Sequence, residues 1–282
     1  MSQVYLNGEY LPLEQAKISV LDRGFTFGDG VYELIPVYEK KIFCLEAHID
    51  RLNNSLKAIY MENPLSLEQW EEIMNMLIKD NPDEFQSLYL QVTRGLSERD
   101  HSITFEGSPT VFVMNRSVKR KDFSSGISAV TCEDIRWRYC NIKAITLLPS
   151  VLLRHEAKQK NADEAILHRE GKITEGAASN VFIVKNDVVS TPVKDNFLLP
   201  GITRDLVVNI LNEAGIKCEE STILQDDLLN AEEIWITSST WEVVPVIKLN
   251  DQQVGTGKPG QMWHKCYRLY QEFKQKVINN DT

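Results

Sequence analysis

The sequence predicts an α+β protein in two domains, and three observations carry that reading. Short runs rich in β-branched and aromatic residues, bounded by Gly, Pro and Ser, read as strands in both halves of the chain. Segments with apolar residues at helical spacing fall among them without an internal repeat, so strands and helices share each half. Between the halves, Arg116 to Ser125 is polar, basic and serine-containing with no apolar periodicity, as a linker should be. The expected division is an N-terminal α/β domain over 1–117, a linker over 118–123 and a strand-rich domain over 124–282.

Taken in order, Val4-Tyr5-Leu6 and Val31 to Tyr38 read as strands, and helices follow from about Leu45 to Tyr60 and from Ser66 to Lys79. Leu88 to Thr93 and Thr110 to Met114 are the next strands. After the linker come a strand at Ile127 to Thr131 and a helix near Leu147 to Asn161. Ala165 to His168, Val181 to Val184 and Ile234 to Thr237 are compact apolar strands, separated by turns such as Glu170-Gly171-Lys172 and by a helix from Thr203 to Ala214.

Composition narrows the class. A chain of 282 residues has room for two modest domains, each with its own core. An apolar share of 43% with 25% charged residues excludes disordered and fibrous architectures. A formal net charge of -9 argues against a nucleic-acid surface, and the one dense basic run, Lys119-Arg120-Lys121, is short. No stretch reaches membrane-spanning length and no basic segment leads into an apolar run at the N-terminus, which favours the cytoplasm. The 5 cysteines form no CxxC pair and read as reduced thiols. No HExxH or His/Cys cluster supports a metal.

Several segments are unusual as mere structure. Asp22-Arg23-Gly24-Phe25-Thr26-Phe27-Gly28-Asp29-Gly30-Val31-Tyr32-Glu33 packs glycines and charges among aromatics, either a glycine loop or a sharp turn beside a polar pocket. Lys143 stands between apolar neighbours in Asn141-Ile142-Lys143-Ala144; such a lysine snorkels into solvent, or is desolvated so that its amine attacks a carbonyl. In Ile173-Thr174-Glu175-Gly176-Ala177-Ala178-Ser179-Asn180, a carboxylate and small residues lead into a buried strand, a capping acid or a site acid. Leu199-Pro200-Gly201-Ile202-Thr203-Arg204-Asp205 turns into a helix start, where Thr203 either caps or offers its amide to a phosphate. Thr237-Ser238-Ser239-Thr240 is a hydroxyl-rich strand end, a turn or a further phosphate contact.

In order and spacing these segments resemble the fold-type IV pyridoxal-phosphate (PLP) enzymes: D-amino acid transaminases, branched-chain transaminases and aminodeoxychorismate lyases. The resemblance runs from Tyr5-Leu6-Asn7-Gly8 to the segment before the C-terminal helix. It implies that Lys143 is the catalytic Schiff-base lysine and that Glu175 faces the cofactor's pyridine nitrogen, where a carboxylate keeps the ring protonated. By the same resemblance, Arg51 binds the phosphate with help from Ile202, Thr203 and Ser239, and Leu199 packs on the ring.

Within the family, Leu96-Ser97-Glu98-Arg99-Asp100-His101 is similar to the Arg-x-His of bacillus-type D-amino acid transaminases. That implies that Arg99 and His101, brought from the neighbouring subunit of a homodimer, hold the substrate carboxylate beside Tyr32, with Thr240 also on the substrate. Without the resemblance, Arg99 and His101 read as solvated loop residues. The expected reaction is a ping-pong transamination from D-alanine to 2-oxoglutarate giving pyruvate and D-glutamate. Branched-chain transaminase and aminodeoxychorismate lyase are the runners-up, and a PLP-binding protein without catalysis is the distant alternative. Trp241 departs from the family, where a small residue is expected, and bears on the breadth of the side-chain pocket.

Overall fold

Hydrophobic strands pair edge to edge in two sheets, and helices add their apolar faces to the buried residues. The computed structural model describes residues 3–103, 107–119 and 121–279. The chain divides into one unit of Met1–Arg120 with Ile142–Thr146 and a second of Lys121–Asn141 with Leu147–Thr282.

The first unit contains β1 (Gln3–Leu6), β2 (Glu9–Pro12), α1 (Arg23–Phe27), β3 (Gly30–Tyr38), β4 (Lys41–Ile42), α2 (Leu45–Ala58), α3 (Leu67–Lys79), β5 (Phe85–Thr93) and β6 (Thr110–Ser117). Its sheet runs β2-β1-β6-β5-β3-β4 with every pairing antiparallel. The expected α/β character is therefore corrected to α+β, because among the described residues of this unit no βαβ crossover brings strands parallel. Val31, Ile35, Leu88, Leu90 and Val92 on the sheet pack with Leu52 and Leu56 of α2 and Trp70 and Met74 of α3. Ser66 is the cap of α3 rather than part of its first turn: its Oγ accepts from the N–H of Gln69 at 3.3 Å, and Gln69 Oε1 accepts from the Ser66 N–H at 2.9 Å.

The expected placement of Lys143 in the second domain is also corrected. Ala144 bridges Val31 antiparallel, the Tyr32 N–H donates to Lys143 O at 3.0 Å and the Ile145 N–H donates to Gly30 O at 3.1 Å. Ile142 and Ala144 sit in the first unit's core, so this short segment belongs to the sheet it pairs with.

The second unit contains β7 (Ile127–Glu133), α4 (Leu148–Gln159), β8 (Glu164–Arg169), β9 (Lys172–Gly176), β10 (Asn180–Lys185), β11 (Val188–Pro192), α5 (Ile202–Glu213), β12 (Cys218–Ser221), α6 (Gln225–Leu229), β13 (Glu233–Ser238), β14 (Glu242–Leu249), β15 (Gln252–Gln253) and α7 (Gln261–Asn279). The sheet order is β12-β11-β10-β13-β14-β7-β8-β9, with β15 paired to β14. β7 and β8 are parallel and joined through α4, whose Leu153 and Ala157 pack on Val130, Cys132, Ala165 and Leu167. On β10, β13 and β14, Val181, Ile183, Ile234, Ile236, Val244 and Val246 form a second core. Among the described residues no helix is long and apolar enough to cross a membrane.

Candidate active site

Alternation along β3 separates two kinds of chemistry. Side chains of successive strand residues point to opposite faces, so Tyr32 and Glu33 diverge. The same logic governs Ile142-Lys143-Ala144: Ile142 and Ala144 enter the core and Lys143 points away from it. Lys143 is half-buried, its Nζ lies 4.2 Å from the centroid of the Tyr32 ring, and its own N–H donates to Ser55 Oγ at 3.2 Å. Tyr32 stacks on Tyr89 at 5.7 Å between centroids, which fixes the ring beneath the ammonium.

On the opposite face, Glu33 is fully buried and meets α2. Arg51 Nε donates to Glu33 Oε1 at 2.7 Å and Arg51 Nη2 to Oε2 at 2.8 Å, a bidentate pair, while His48 Nδ1 lies 2.8 Å from Oε2. His48 and Arg51 share this face because they are one helical turn apart. Burial pushes the Glu33 carboxyl up, but the Arg51 charge and the hydrogen bonds from Arg51 and His48 outweigh it and hold the group well below the usual carboxylate range. For His48, burial outweighs the Glu33 carboxylate and lowers its pKa, so a neutral imidazole donating from Nδ1–H satisfies the geometry.

Arg99 and His101 lie exposed on the loop after β5 and gather around a different ring. The Arg99 guanidinium carbon is 5.2 Å from the Phe27 centroid and the His101 ring is 5.3 Å from it. Among the described residues of one chain, no hydrogen bond or ring contact joins Arg99 or His101 to Tyr32.

In the second unit, Glu175 on β9 is buried at the centre of a donor set. Its Oε1 accepts from Arg136 Nη1, and its Oε2 accepts from the Leu199 N–H at 3.0 Å and from Asn180 Nδ2 at 3.1 Å. Arg136 is itself fixed by Asp134, which receives Nε at 2.9 Å and Nη2 at 2.9 Å. Burial raises the Glu175 carboxyl to about 7, against the opposing charge and hydrogen bond of Arg136 and the N–H of Leu199. A carboxylate so desolvated gains from a further cation placed against it.

Leu199, Ile202 and Thr203 fall on one turn leading into α5. Gly201 caps this helix with no side-chain hydrogen bond, and Thr203 is buried in the first turn. A side chain at Gly201 would collide with Asn180 Oδ1, so only glycine fits this turn. The helix start thus keeps its first N–H groups clear of a side-chain cap, at the positive end of the helix dipole, as a phosphate requires. Ser239 and Thr240 are half-buried in the turn between β13 and β14. Trp241 packs against Phe123 at 4.8 Å and carries the Arg154 guanidinium 5.6 Å from its ring centroid.

Sequence reasoning misses some residues of this chemistry. Arg136, Asp134 and Asn180 surround Glu175, and Glu33 and His48 hold Arg51. The available signal is local: a carboxylate inside an apolar strand at Glu33, and an ionisable pair on the apolar face of α2, must find partners once buried.

A family model described as amino-transferase class IV matches residues 30–249. A D-alanine aminotransferase of Staphylococcus haemolyticus is 39% identical over 276 residues, covering 97% of this chain and 98% of that protein. A branched-chain amino acid aminotransferase of Escherichia coli superposes with a TM-score of 0.90 at 26% identity, covering 95% of this chain and 92% of the other. The T.th. branched-chain amino acid aminotransferase with pyridoxamine 5'-phosphate gives a TM-score of 0.88 at 27% identity, covering 96% of this chain and 93% of the other. With a lysine stacked over a tyrosine, a buried carboxylate ringed by donors and a glycine-capped helix start in the matched span, the chain belongs to the class IV aminotransferases.

Proposed function

We propose that this chain transfers the amino group of D-alanine to 2-oxoglutarate, giving pyruvate and D-glutamate, as a PLP-dependent homodimer. The observation that carries the cofactor reading is Glu175, a buried carboxyl near neutrality whose oxygens accept three donors and which suits a protonated ring nitrogen. The residues fit the group at its other end too, since the start of α5 at Ile202 and Thr203, free of a side-chain cap, offers N–H donors and Gly201 leaves the approach open. In this reading Arg51 and Ser239 complete the phosphate site and Leu199 packs on the ring.

Bound PLP supplies the electron sink that stabilises negative charge at the substrate α-carbon. Lys143 Nζ would hold the cofactor and, as a free amine, would be the base that accepts the proton from the substrate Cα. Glu175 keeps the ring-nitrogen proton in place. Tyr32 together with Arg99 and His101 of the partner subunit holds the substrate carboxylate, and Thr240 lies toward the substrate. The exposure of the apolar side chains Ile18, Val20, Leu21, Phe25 and Leu96 on the first unit supports a partner there. The free cysteines accord with a reducing compartment such as the cytoplasm.

Identity favours D-alanine over branched-chain substrates, at 39% against 26–27% over similar spans. The test is the holoenzyme's absorbance near the visible edge, followed on adding D-alanine, with pyruvate measured in the presence of 2-oxoglutarate. D-alanine should shift the band and L-alanine or L-leucine should be far poorer, and Lys143→Ala should abolish turnover. A preference for L-leucine, pyruvate release from aminodeoxychorismate without an amino acceptor, or turnover in Lys143→Ala would overturn the reading.

A further inference from the structure

The aromatic, charged segment Asp22–Gly30 has no role in the chemistry above, yet it is tied at many points to the loop that carries Arg99 and His101. Arg23 lies buried, its N–H donates to Gly95 O at 2.8 Å, its Nε to Asp29 Oδ2 at 2.8 Å and its Nη1 to Asp100 O at 2.7 Å. Asp100 is the residue between Arg99 and His101, so this last bond grips the loop at the middle of the pair. From the other end, Arg94 meets the same Asp29 through Nε at 2.8 Å and Nη2 at 3.0 Å, and Asp22 bridges Leu96. The Asp29 carboxyl is raised by burial but lowered further by its bonds to Arg94 and Arg23, so it stays ionised as the common anchor.

Above this anchor stands Phe27, half-buried, with Arg23 4.8 Å, Arg99 5.2 Å and His101 5.3 Å from its ring. Residues two apart in extended chain share a face; here what Arg99 and His101 share is the phenyl ring, against which both side chains lie. Both are otherwise exposed, and ordering a mobile exposed side chain opposes any contact that it makes with a ligand.

We infer that Phe27 and Arg23 are positioning residues: they hold Arg99 and His101 together as one preformed carboxylate-binding pair and so set the affinity for amino and oxo acids. This rests on the reading of Arg99 and His101 as carboxylate ligands. The ring places the two side chains, the grip on the Asp100 carbonyl fixes the backbone between them, and the ordering is complete before substrate arrives.

The holoenzyme of the wild type, Phe27→Leu, Phe27→Tyr, Arg23→Lys and Arg99→Ala tests this. Three readouts decide: KM for D-alanine, kcat, and the inhibition constant of propionate, a carboxylate that cannot react. Phe27→Leu should raise KM and the propionate constant together by about three- to tenfold, the size expected for losing two exposed contacts to the ring, with kcat changed by less than about twofold. Phe27→Tyr keeps the ring and should restore both. Arg23→Lys keeps a charge on Asp29 but loses the fork to Asp100, and should move the same two constants if the leucine variant does not fold. Raised constants in Arg99→Ala with none in Phe27→Leu or Arg23→Lys, or a fall in kcat alone, would overturn the inference. Unchanged constants in Arg99→Ala would instead remove the carboxylate reading itself, and the inference with it.

Discussion

Glu175 takes the last uncommitted nitrogen of Arg136: Nε and Nη2 of that arginine are bound to Asp134, and Nη1 reaches Glu175 Oε1. The arginine is thereby fixed by one carboxylate so that it can tune another.

Replacing Arg136 by methionine removes the charge that opposes burial at Glu175 and leaves Asp134 short of its main partner. Breaking a buried pair from one side costs about 3–5 kcal/mol. Urea unfolding at neutral pH should show a loss of that size, and the Glu175 carboxyl should titrate higher than in the wild type.

The wild-type carboxyl gives a pH signature in the cofactor-free protein. Its folded pKa is raised from 4.5 to about 7, so the folded state holds the proton more tightly than the unfolded chain. The resulting stabilisation is complete below the unfolded value and is lost as pH rises through about 7. Relative to Glu175→Gln, wild-type unfolding free energy should fall by on the order of 3 kcal/mol between those limits. A parallel pair of pH profiles would refute it.

Glu33 has the opposite sign. Held below its ordinary range by Arg51 and His48 against the effect of burial, its carboxylate stabilises the fold above the unfolded pKa of about 4.5, and that contribution is lost as pH falls toward the folded value. Glu33→Ala leaves Arg51 buried without its bidentate partner and should cost about 3–5 kcal/mol in urea unfolding at neutral pH. Cofactor titration should also weaken, by roughly tenfold for a misplaced charged hydrogen bond.

Gly201→Ala tests the helix start. The added methyl would run into Asn180 Oδ1, and that amide also serves Glu175 and the Leu199 carbonyl. Overpacking of this kind costs about 1–3 kcal/mol. Thermal unfolding should show the loss, and PLP affinity followed by absorbance should fall with it.

The legible parts of this chain are those with local cause. Helices α2 and α3 declare themselves as helical stretches, although the reading takes the cap Ser66 into α3, and β5 and β6 by β-branched and aromatic runs. Strand β14 is hidden because Pro245 stands inside it, β9 because it is short and polar, and β11 because it is short and ends on Pro192. Lys143 and Glu175 stand out through resemblance; their supports do not. Arg136 lies 39 residues before the carboxylate that it serves, and nothing in its local sequence names that partner. Partnerships of that range follow from sheet order, which periodicity does not contain.

The segment Ile142–Thr146 has a consequence for how the protein is made. A chain leaves the ribosome from its N-terminus, and domains tend to fold as they emerge. Here the first sheet lacks the strip that pairs with Gly30 and Tyr32 until residues beyond its own boundary have been synthesised. Completion of the N-terminal unit and delivery of Lys143 are therefore one event: a nascent chain arrested at the boundary carries an open edge and no Lys143, and the lysine arrives already seated.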